Sequence, residues 1–297
     1  MYYNENTIVY YNNEFIKAAE VKGDVYSQSL HYGYAVFEGI RAYNTATGTK
    51  IFKAAEHFER MKYSCEVVGI PYPFNNEELI QISYDVLAKN NLKDAYLRPL
   101  VTCPPNMTLT KGKGAQLLIA AWEWQAYLGE NLLRVVTSSI RRPNAAAFKI
   151  EAKVSGHYVN SIMATQDAKD NGYDEALLLD VNGFVAEGPG ANFFIQKDGV
   201  LYTPQRGHIL PGITRATIIE LCNEAGIEVI EKQITLQEAH EADSAFYCGT
   251  AAEVIGFKSL DEVVFPMEWK DSLGAYLRKA YKERVLELEK IPTLLTA

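Results

Sequence analysis

Cysteine is scarce in this sequence and never clustered. The four in 297 residues, Cys65, Cys103, Cys222 and Cys248, form no Cys-x-x-Cys pair. That argues against a disulfide framework or a cysteine zinc site and fits a reducing compartment. Long apolar runs are missing too, and none approaches the roughly 18 residues needed to span a bilayer. The opening "MYYNENTIVYYNNEF" has neither the basic start nor the apolar stretch of a secretory signal. The expectation is a cytoplasmic protein. A basic excess is also absent: 29 Lys and Arg stand against 37 Asp and Glu, a formal charge of −8. Broad nucleic-acid binding, which needs a concentrated basic surface, is thereby disfavoured; a local basic pocket for a small anion is not. No repeat or low-complexity segment occurs.

What is present is ordinary globular material. Hydrophobic residues make up 48% of the chain, enough for one large or two medium domains. "TIVYYNNEFI" reads as a hairpin turning at Asn12-Asn13. "GTKIFKAAEHFERMKYSCEVVGI" reads as a strand and then a helix ending near Gly69. "NNEELIQISYDVLAKNN" carries Leu79, Ile82 and Val86 at helical spacing between asparagines that can cap it. "DAYLRPLVTC" and "AQLLIAAWEW" read as strands of one sheet. "QAYLGENLL" is a plausible connection, giving domains over 1–124 and 134–297 joined by 125–133. Beyond it, "SIMATQDAKDNG" reads as a helix ended by Gly172. "EALLLDVNGFVAEG" is a hairpin on Asn182-Gly183, and "ANFFIQKDGVLYTP" is another on Asp198-Gly199. "TRATIIELCNEAG" is a helix with Thr214 expected as its N-cap and Gly226 past its end. The fold expected is α/β, of α+β type: two mixed domains with a ligand cleft between them.

Five stretches can carry chemistry. In "EAKVSGHYVNS", Lys153 lies among small and apolar residues. It is either a surface lysine with its stem along the protein or a desolvated amine able to form a Schiff base. Lys149, beside the basic pair Arg141-Arg142, reads as a surface lysine. "ILPGITRATIIE" runs a Pro-Gly turn into a helix start holding Ile213 and Thr214, which is either a plain capped helix or an anion site. "YCGTAAE" puts Gly249, Thr250 and two alanines after a strand, suiting a tight turn or a ligand held against the backbone. In "VAEGPGANFF", Glu187 ends a strand before a rigid bend and faces water or a cleft; the segment alone favours water. "HYGYAVFEGIRAY" gathers Tyr32, Tyr34, Phe37 and Tyr43 around Gly33 and Gly39, as core or as an apolar pocket. Arg60 in "EHFERM" and Tyr96 with Arg98 in "AYLRPL" can add cationic contacts. A lysine, a phosphate cradle, a carboxylate and an aromatic pocket together fit pyridoxal 5'-phosphate (PLP) chemistry.

The order of these motifs resembles the fold-type IV PLP enzymes, and most closely the bacterial branched-chain amino acid aminotransferases. "FEGIR", "YLRP" and "AYLG" carry the likeness to that group; other motifs are shared with D-amino acid transaminases and aminodeoxychorismate lyases, the alternatives. The resemblance implies that Lys153 forms the imine with the cofactor and shuttles the proton, that Glu187 pairs with the pyridine nitrogen, and that Tyr158 bonds the phenolic oxygen. It implies phosphate contacts from Arg60, Ile213, Thr214 and Thr250, with Gly249 beside them and Leu210 packed on the ring. Tyr32, Phe37, Gly39, Tyr96, Arg98 and Tyr127 would shape the substrate pocket, and Thr250 with Ala251 would receive the substrate carboxylate. It further implies leucine, isoleucine or valine as donor, 2-oxoglutarate as acceptor, and a homodimer or higher homo-oligomer. The chain departs from the pattern at Ser155 and His157, where glycine and asparagine are common, at Ala191, where a glutamate is frequent, and in the shorter, more basic loop "CPPNMTLTKGKG".

Overall fold

A computed structural model describes residues 2–124, 128–129 and 131–288. The chain forms two units: Met1–Gln125 with Ala152–His157, and Ala126–Glu151 with Tyr158–Ala297. The second unit is therefore not the contiguous 134–297 expected from the sequence. The six residues carrying Lys153 fold with the first unit because their backbone is paired there. Val154 bridges Val36, and the N–H groups of Ser155 and Gly156 donate to Ala35 O and Gly33 O at 2.8 and 2.9 Å.

The first unit is a seven-stranded sheet with helices packed on it. Its strands are β1 (Ile8–Tyr11), β2 (Glu14–Lys17), β3 (Val36–Phe37), β4 (Ile40–Thr45), β5 (Gly48–Ile51), β6 (Ala95–Thr102) and β7 (Gln116–Glu123); its helices are α1 (Gln28–Tyr32), α2 (Ala54–Val68) and α3 (Asn76–Lys89). The strands run in the order β2-β1-β7-β6-β4-β5, with β3 on β6. Asn12 and Asn13 take φ of 47° and 73° at the β1–β2 turn, a region asparagine tolerates better than most residues. In α2, Phe58, Met61 and Cys65 fall on one buried face, and Gly69 ends the helix at φ 78°. Asn75 caps α3 by accepting from the N–H groups of Glu77 and Glu78, a contribution of about 1 kcal/mol. Leu79, Val86 and Leu87 then join Phe58, Met61 and the β-strand residues Ile40, Leu97 and Ile119 in one core.

The second unit holds β8 (Leu133–Thr137), α4 (Tyr158–Asp170), β9 (Glu175–Leu179), β10 (Val185–Glu187), β11 (Asn192–Lys197), β12 (Val200–Pro204), α5 (Ile213–Ala225), β13 (Val229–Lys232), α6 (Leu236–His240), β14 (Ser244–Gly249), β15 (Glu253–Leu260), β16 (Val263–Val264) and α7 (Leu273–Val285). Its sheet runs β10-β9-β8-β15-β14-β11-β12-β13, and β10 also pairs with β11. That extra pairing closes the path into a ring. Phe193, Tyr247, Phe257, Leu177 and Val135 belong to the core it builds. The runs in β9 and β14 are buried along almost their whole length, as near-continuous apolar strands covered on both faces must be. Ala164 and Ala168 of α4 pack on Ala176 and Leu178 of β9.

Candidate active site

In the first unit, strand β3 and the turn after it carry three site residues in succession. The N–H of Phe37 donates to Lys153 O at 3.2 Å, and that of Glu38 donates to Pro99 O at 2.9 Å. The backbone of Lys153 is fixed from the other side by Ser64, whose Oγ accepts its N–H at 3.0 Å. The Phe37 ring meets two cations: Lys153 Nζ is 5.0 Å from its centroid and the Arg98 guanidinium is 4.7 Å from it. Both distances lie in the range of cation–π attraction. Arg98 also lies 5.4 Å from the Tyr96 ring, and Tyr96 stacks on Trp124 at 4.9 Å. Arg98 Nε is buried with no acceptor among the described residues, so a donor waits beside an aromatic wall. Gly39 makes room for that wall: a Cβ there would meet Tyr96 Oη at 1.9 Å. The structure thus brings together Lys153, Phe37, Gly39, Tyr96 and Arg98. Tyr32 stands apart, 48% exposed, with its hydroxyl directed to Met107 O at 3.4 Å. Tyr127 lies outside the described residues.

Arg60 joins this set through a residue not singled out from the sequence. Glu38 is fully buried and takes Arg60 Nε and Nη2 at 2.8 Å each, and His57 Nδ1 at 2.7 Å. Burial alone would raise the Glu38 carboxyl, but the charge and hydrogen bonds of Arg60 reverse this and hold it well below the usual carboxylate range. Burial is the largest influence on the His57 imidazole and lowers it, Arg60 and Lys153 add to the fall, and Glu38 opposes it without restoring the ordinary value. Arg60, not His57, is therefore the cation that balances Glu38. Breaking one partner of such a buried pair costs about 3–5 kcal/mol. An exposed pair such as Arg134 with Asp174, 51% and 40% exposed, contributes at most about 1 kcal/mol. The available signal was the spacing of a buried helical face, on which His57 lies beside Phe58 and Met61.

In the second unit, Glu187 is 4% exposed and does not face water, contrary to the preference of its segment alone. The physical reason is its set of donors. Arg142 Nη2 lies 2.7 Å from Oε1, Asn192 Nδ2 donates to Oε2 at 3.0 Å, and the Leu210 N–H reaches both oxygens at 3.1 and 3.2 Å. Glu187 and Asn192 are partners in the β10–β11 register, and Asn192 is in register with Cys248 of β14. That places Glu187 and the turn after β14 at one end of the sheet. There Gly249 lies against the Gly190 carbonyl, which a Cβ would approach to 3.1 Å. Thr250 and Ala251 form the turn between β14 and β15.

Asn192 also donates to Leu210 O at 2.9 Å, which carries the network to α5. The N-cap of that helix is Gly212, with Ile213 as its first residue, so Thr214 is not the cap expected from the sequence. The reason is space: a Cβ at Gly212 would lie 2.0 Å from Asn192 Oδ1. A cap without a side chain offers no oxygen to the first-turn N–H groups, so those of Ile213 and Thr214 head a 13-residue helix as anion donors. Thr217 bonds back to Ile213 O at 3.0 Å. Asn192 thus joins Glu187 and Leu210 and abuts the start of α5 at Gly212, while Gly249 lies one residue beyond Cys248, the β14 partner of Asn192. Tyr158 heads α4, and Lys149, read as a surface lysine, lies in an exposed stretch. Among the described residues no cluster of His, Cys, Asp or Glu could hold a metal, and no helix is long and apolar enough to cross a membrane.

A mixed sheet closed on itself, a strand-end carboxylate held by an arginine, and a glycine-capped helix beside it define a class, and comparison with known proteins identifies it. The chain belongs to the class IV aminotransferases: the family model described as "Amino-transferase class IV" matches residues 35–260. Within that class it is similar to the branched-chain-amino-acid aminotransferase of Pseudomonas aeruginosa, 39% identical over 284 residues, which cover 94% of this chain and 92% of the relative. Two solved structures agree. The branched-chain aminotransferase from Thermoproteus uzoniensis with norvaline superposes with a TM-score of 0.91 at 36% identity, covering 96% of both chains. The branched-chain amino acid aminotransferase from Thermobaculum terrenum, solved in its PLP-form, gives 0.90 at 30% identity, again over 96% of both. The fold is that of these fold-type IV enzymes.

Proposed function

We infer that this protein is a PLP-dependent branched-chain amino acid aminotransferase, moving the amino group of leucine, isoleucine or valine to 2-oxoglutarate and yielding the 2-oxo acid and glutamate. The observation that carries this reading is likeness, along nearly the whole chain, to proteins of that name. The residues present fit the cofactor. An uncapped helix start and Arg60 suit a phosphate, and a buried carboxylate at a strand end suits a protonated ring nitrogen. Arg98 Nε, buried without an acceptor among the described residues, suits the second carboxylate of glutamate.

Bound PLP supplies an aldehyde that takes up an amine and a ring that accepts the electrons of a breaking Cα–H bond. The chain's own residues do the rest. Lys153 would present its amine to the aldehyde and would serve as the base that takes up and gives back the substrate's Cα proton. Glu187 would keep the ring nitrogen protonated, and Tyr158 would donate to the phenolic oxygen. Arg60, Thr250 and the N–H groups of Ile213 and Thr214 would hold the phosphate, with Gly249 permitting close backbone approach and Leu210 packing on the ring. Thr250 and Ala251 N–H groups take the substrate carboxylate. Phe37, Gly39, Tyr96 and Tyr32 shape the side-chain pocket, and Arg98 lets it also accept the carboxylate of glutamate. The protein acts in the cytoplasm as a homodimer or higher homo-oligomer.

The test is an amino-donor panel on the purified protein with 2-oxoglutarate, beside Lys153→Ala. Turnover is expected with leucine, isoleucine and valine and is lost in the variant. No activity with any branched-chain donor overturns the substrate, and near wild-type turnover in the variant overturns the role of the lysine. Release of pyruvate without an amino acceptor would mark a lyase instead.

A further inference from the structure

The contact of Arg142 with Glu187 has no part in the roles assigned above, and the sequence offers Arg142 only as half of a basic pair. The structure buries it: its side chain is 8% exposed and that of Glu187 is 5% exposed, with 2.7 Å between Nη2 and Oε1. The guanidinium is anchored through its own backbone, whose N–H donates to Leu179 O at 2.9 Å, so it is tied to strand β9 beside the strand carrying Glu187. Ala191, where the resemblance leads one to expect a glutamate, brings no carboxylate to this end of the sheet. Neutral donors complete the grip: the amide of Asn192 on Oε2 and the N–H of Leu210 on both oxygens. A carboxylate held this way has one oxygen set by a charged donor and its plane set by uncharged ones.

We propose that Arg142 is a positioning residue for Glu187: its guanidinium holds Oε1 and balances the buried charge, so that the carboxylate meets the pyridine nitrogen of PLP in one fixed orientation. This rests on the reading of Glu187 given above. A buried carboxylate that loses its cation turns toward whatever donors remain, and the interaction that then suffers is the one requiring its direction, the contact with the ring nitrogen. Phosphate and phenolic contacts are made by other residues and are left intact.

A cofactor analogue separates these effects. The full chain is stripped of cofactor and titrated with PLP and with its 1-deaza analogue, which has C–H in place of the ring nitrogen, in wild type, Arg142→Gln and Arg142→Lys. The glutamine variant is expected to weaken PLP binding by about tenfold or more while changing the analogue by less than about threefold. Lysine, which keeps the charge but not the fork, recovers part of the difference. If the glutamine variant does not fold, the lysine variant alone must still weaken PLP more than the analogue. An equal change for both ligands means a merely structural role and overturns the proposal, as does unchanged PLP affinity. A wild type that does not bind PLP, or binds it no better than the analogue, strikes the reading of Glu187 itself.

Discussion

At the scale of single residues, the candidate side chains could be picked out from the sequence, and the ones that hold them in place could not. Lys153 and Arg98 stand out because their charges sit among small or apolar neighbours, whereas the segment of Glu187 alone pointed to water and only its packing shows otherwise. Glu38, His57 and Arg142 do not, since a charged residue in a turn, in a helix or beside another cation reads as a solvated face until the packing is known. Glu38 and His57 give the first unit a pH dependence whose sign follows from their shifts. The folded imidazole sits below its ordinary value of 6.5, so below about that pH the unfolded chain takes up a proton the folded one refuses, and stability falls on acidification. The Glu38 carboxyl sits below its ordinary 4.5; its contribution is fully present above that value and declines as pH drops beneath it. Denaturant midpoints measured from about pH 8 to about pH 5 should therefore decline, with His57 supplying at most about 1.4 kcal/mol per pH unit. His57→Gln, which can still donate to Glu38, should flatten the upper part of that decline. An unchanged slope in the variant would remove His57 as its source.

At the scale of elements, two hairpins of the second unit, β9–β10 and β11–β12, and the caps of α3 followed from local chemistry. Asn182-Gly183, Asp198-Gly199 and Asn75 leave the backbone little choice. Helix α5 is the case where local chemistry misled: Thr214 has the right side chain for a cap, yet the helix begins two residues earlier in capping terms, at Gly212, because Asn192 from β11 fills the space a side chain would need. That contact is long-range and invisible in a local pattern. The two glycines flanking α5 consequently serve different ends. Gly226 is at φ 69° with open space around it, so Gly226→Ala should cost about 1 kcal/mol in stability and leave cofactor affinity alone. Gly212 is at φ −67°, an ordinary value, and alanine there collides with Asn192. Gly212→Ala should push Asn192 off Glu187 and Leu210 and weaken PLP binding by about tenfold. Melting temperatures and cofactor titrations on the two variants check this; equal affinity losses at both ends of the helix would contradict it.

At the scale of the whole molecule, two mixed α/β units were legible from the alternation of strand and helix patterns, while the ownership of the segment around Lys153 was not. Sequence order places it deep in the second half, between β8 and α4. Backbone pairing decides otherwise, and pairing partners so far away along the chain leave no periodic trace. The consequence is energetic as well as topological. The N–H of Ser155 is bonded to Ala35 O, that of Gly156 to Gly33 O, and that of Lys153 to Ser64 Oγ. To exchange their protons, all three must break bonds to the first unit, so they open when that unit opens. The amides of α4, which starts at Tyr158, are bonded within their own helix and open with the second. Native-state hydrogen exchange under increasing denaturant should therefore group Lys153, Ser155 and Gly156 with Phe37 and Glu38, whose N–H groups donate to Lys153 O and Pro99 O. Destabilising the first unit alone, as by Phe58→Ala in its core, should speed their exchange and leave the middle of α4 unchanged. If the three amides instead followed α4, Lys153 would move with the second unit, and its fixed place against Phe37 would have to be made on binding rather than built into the fold.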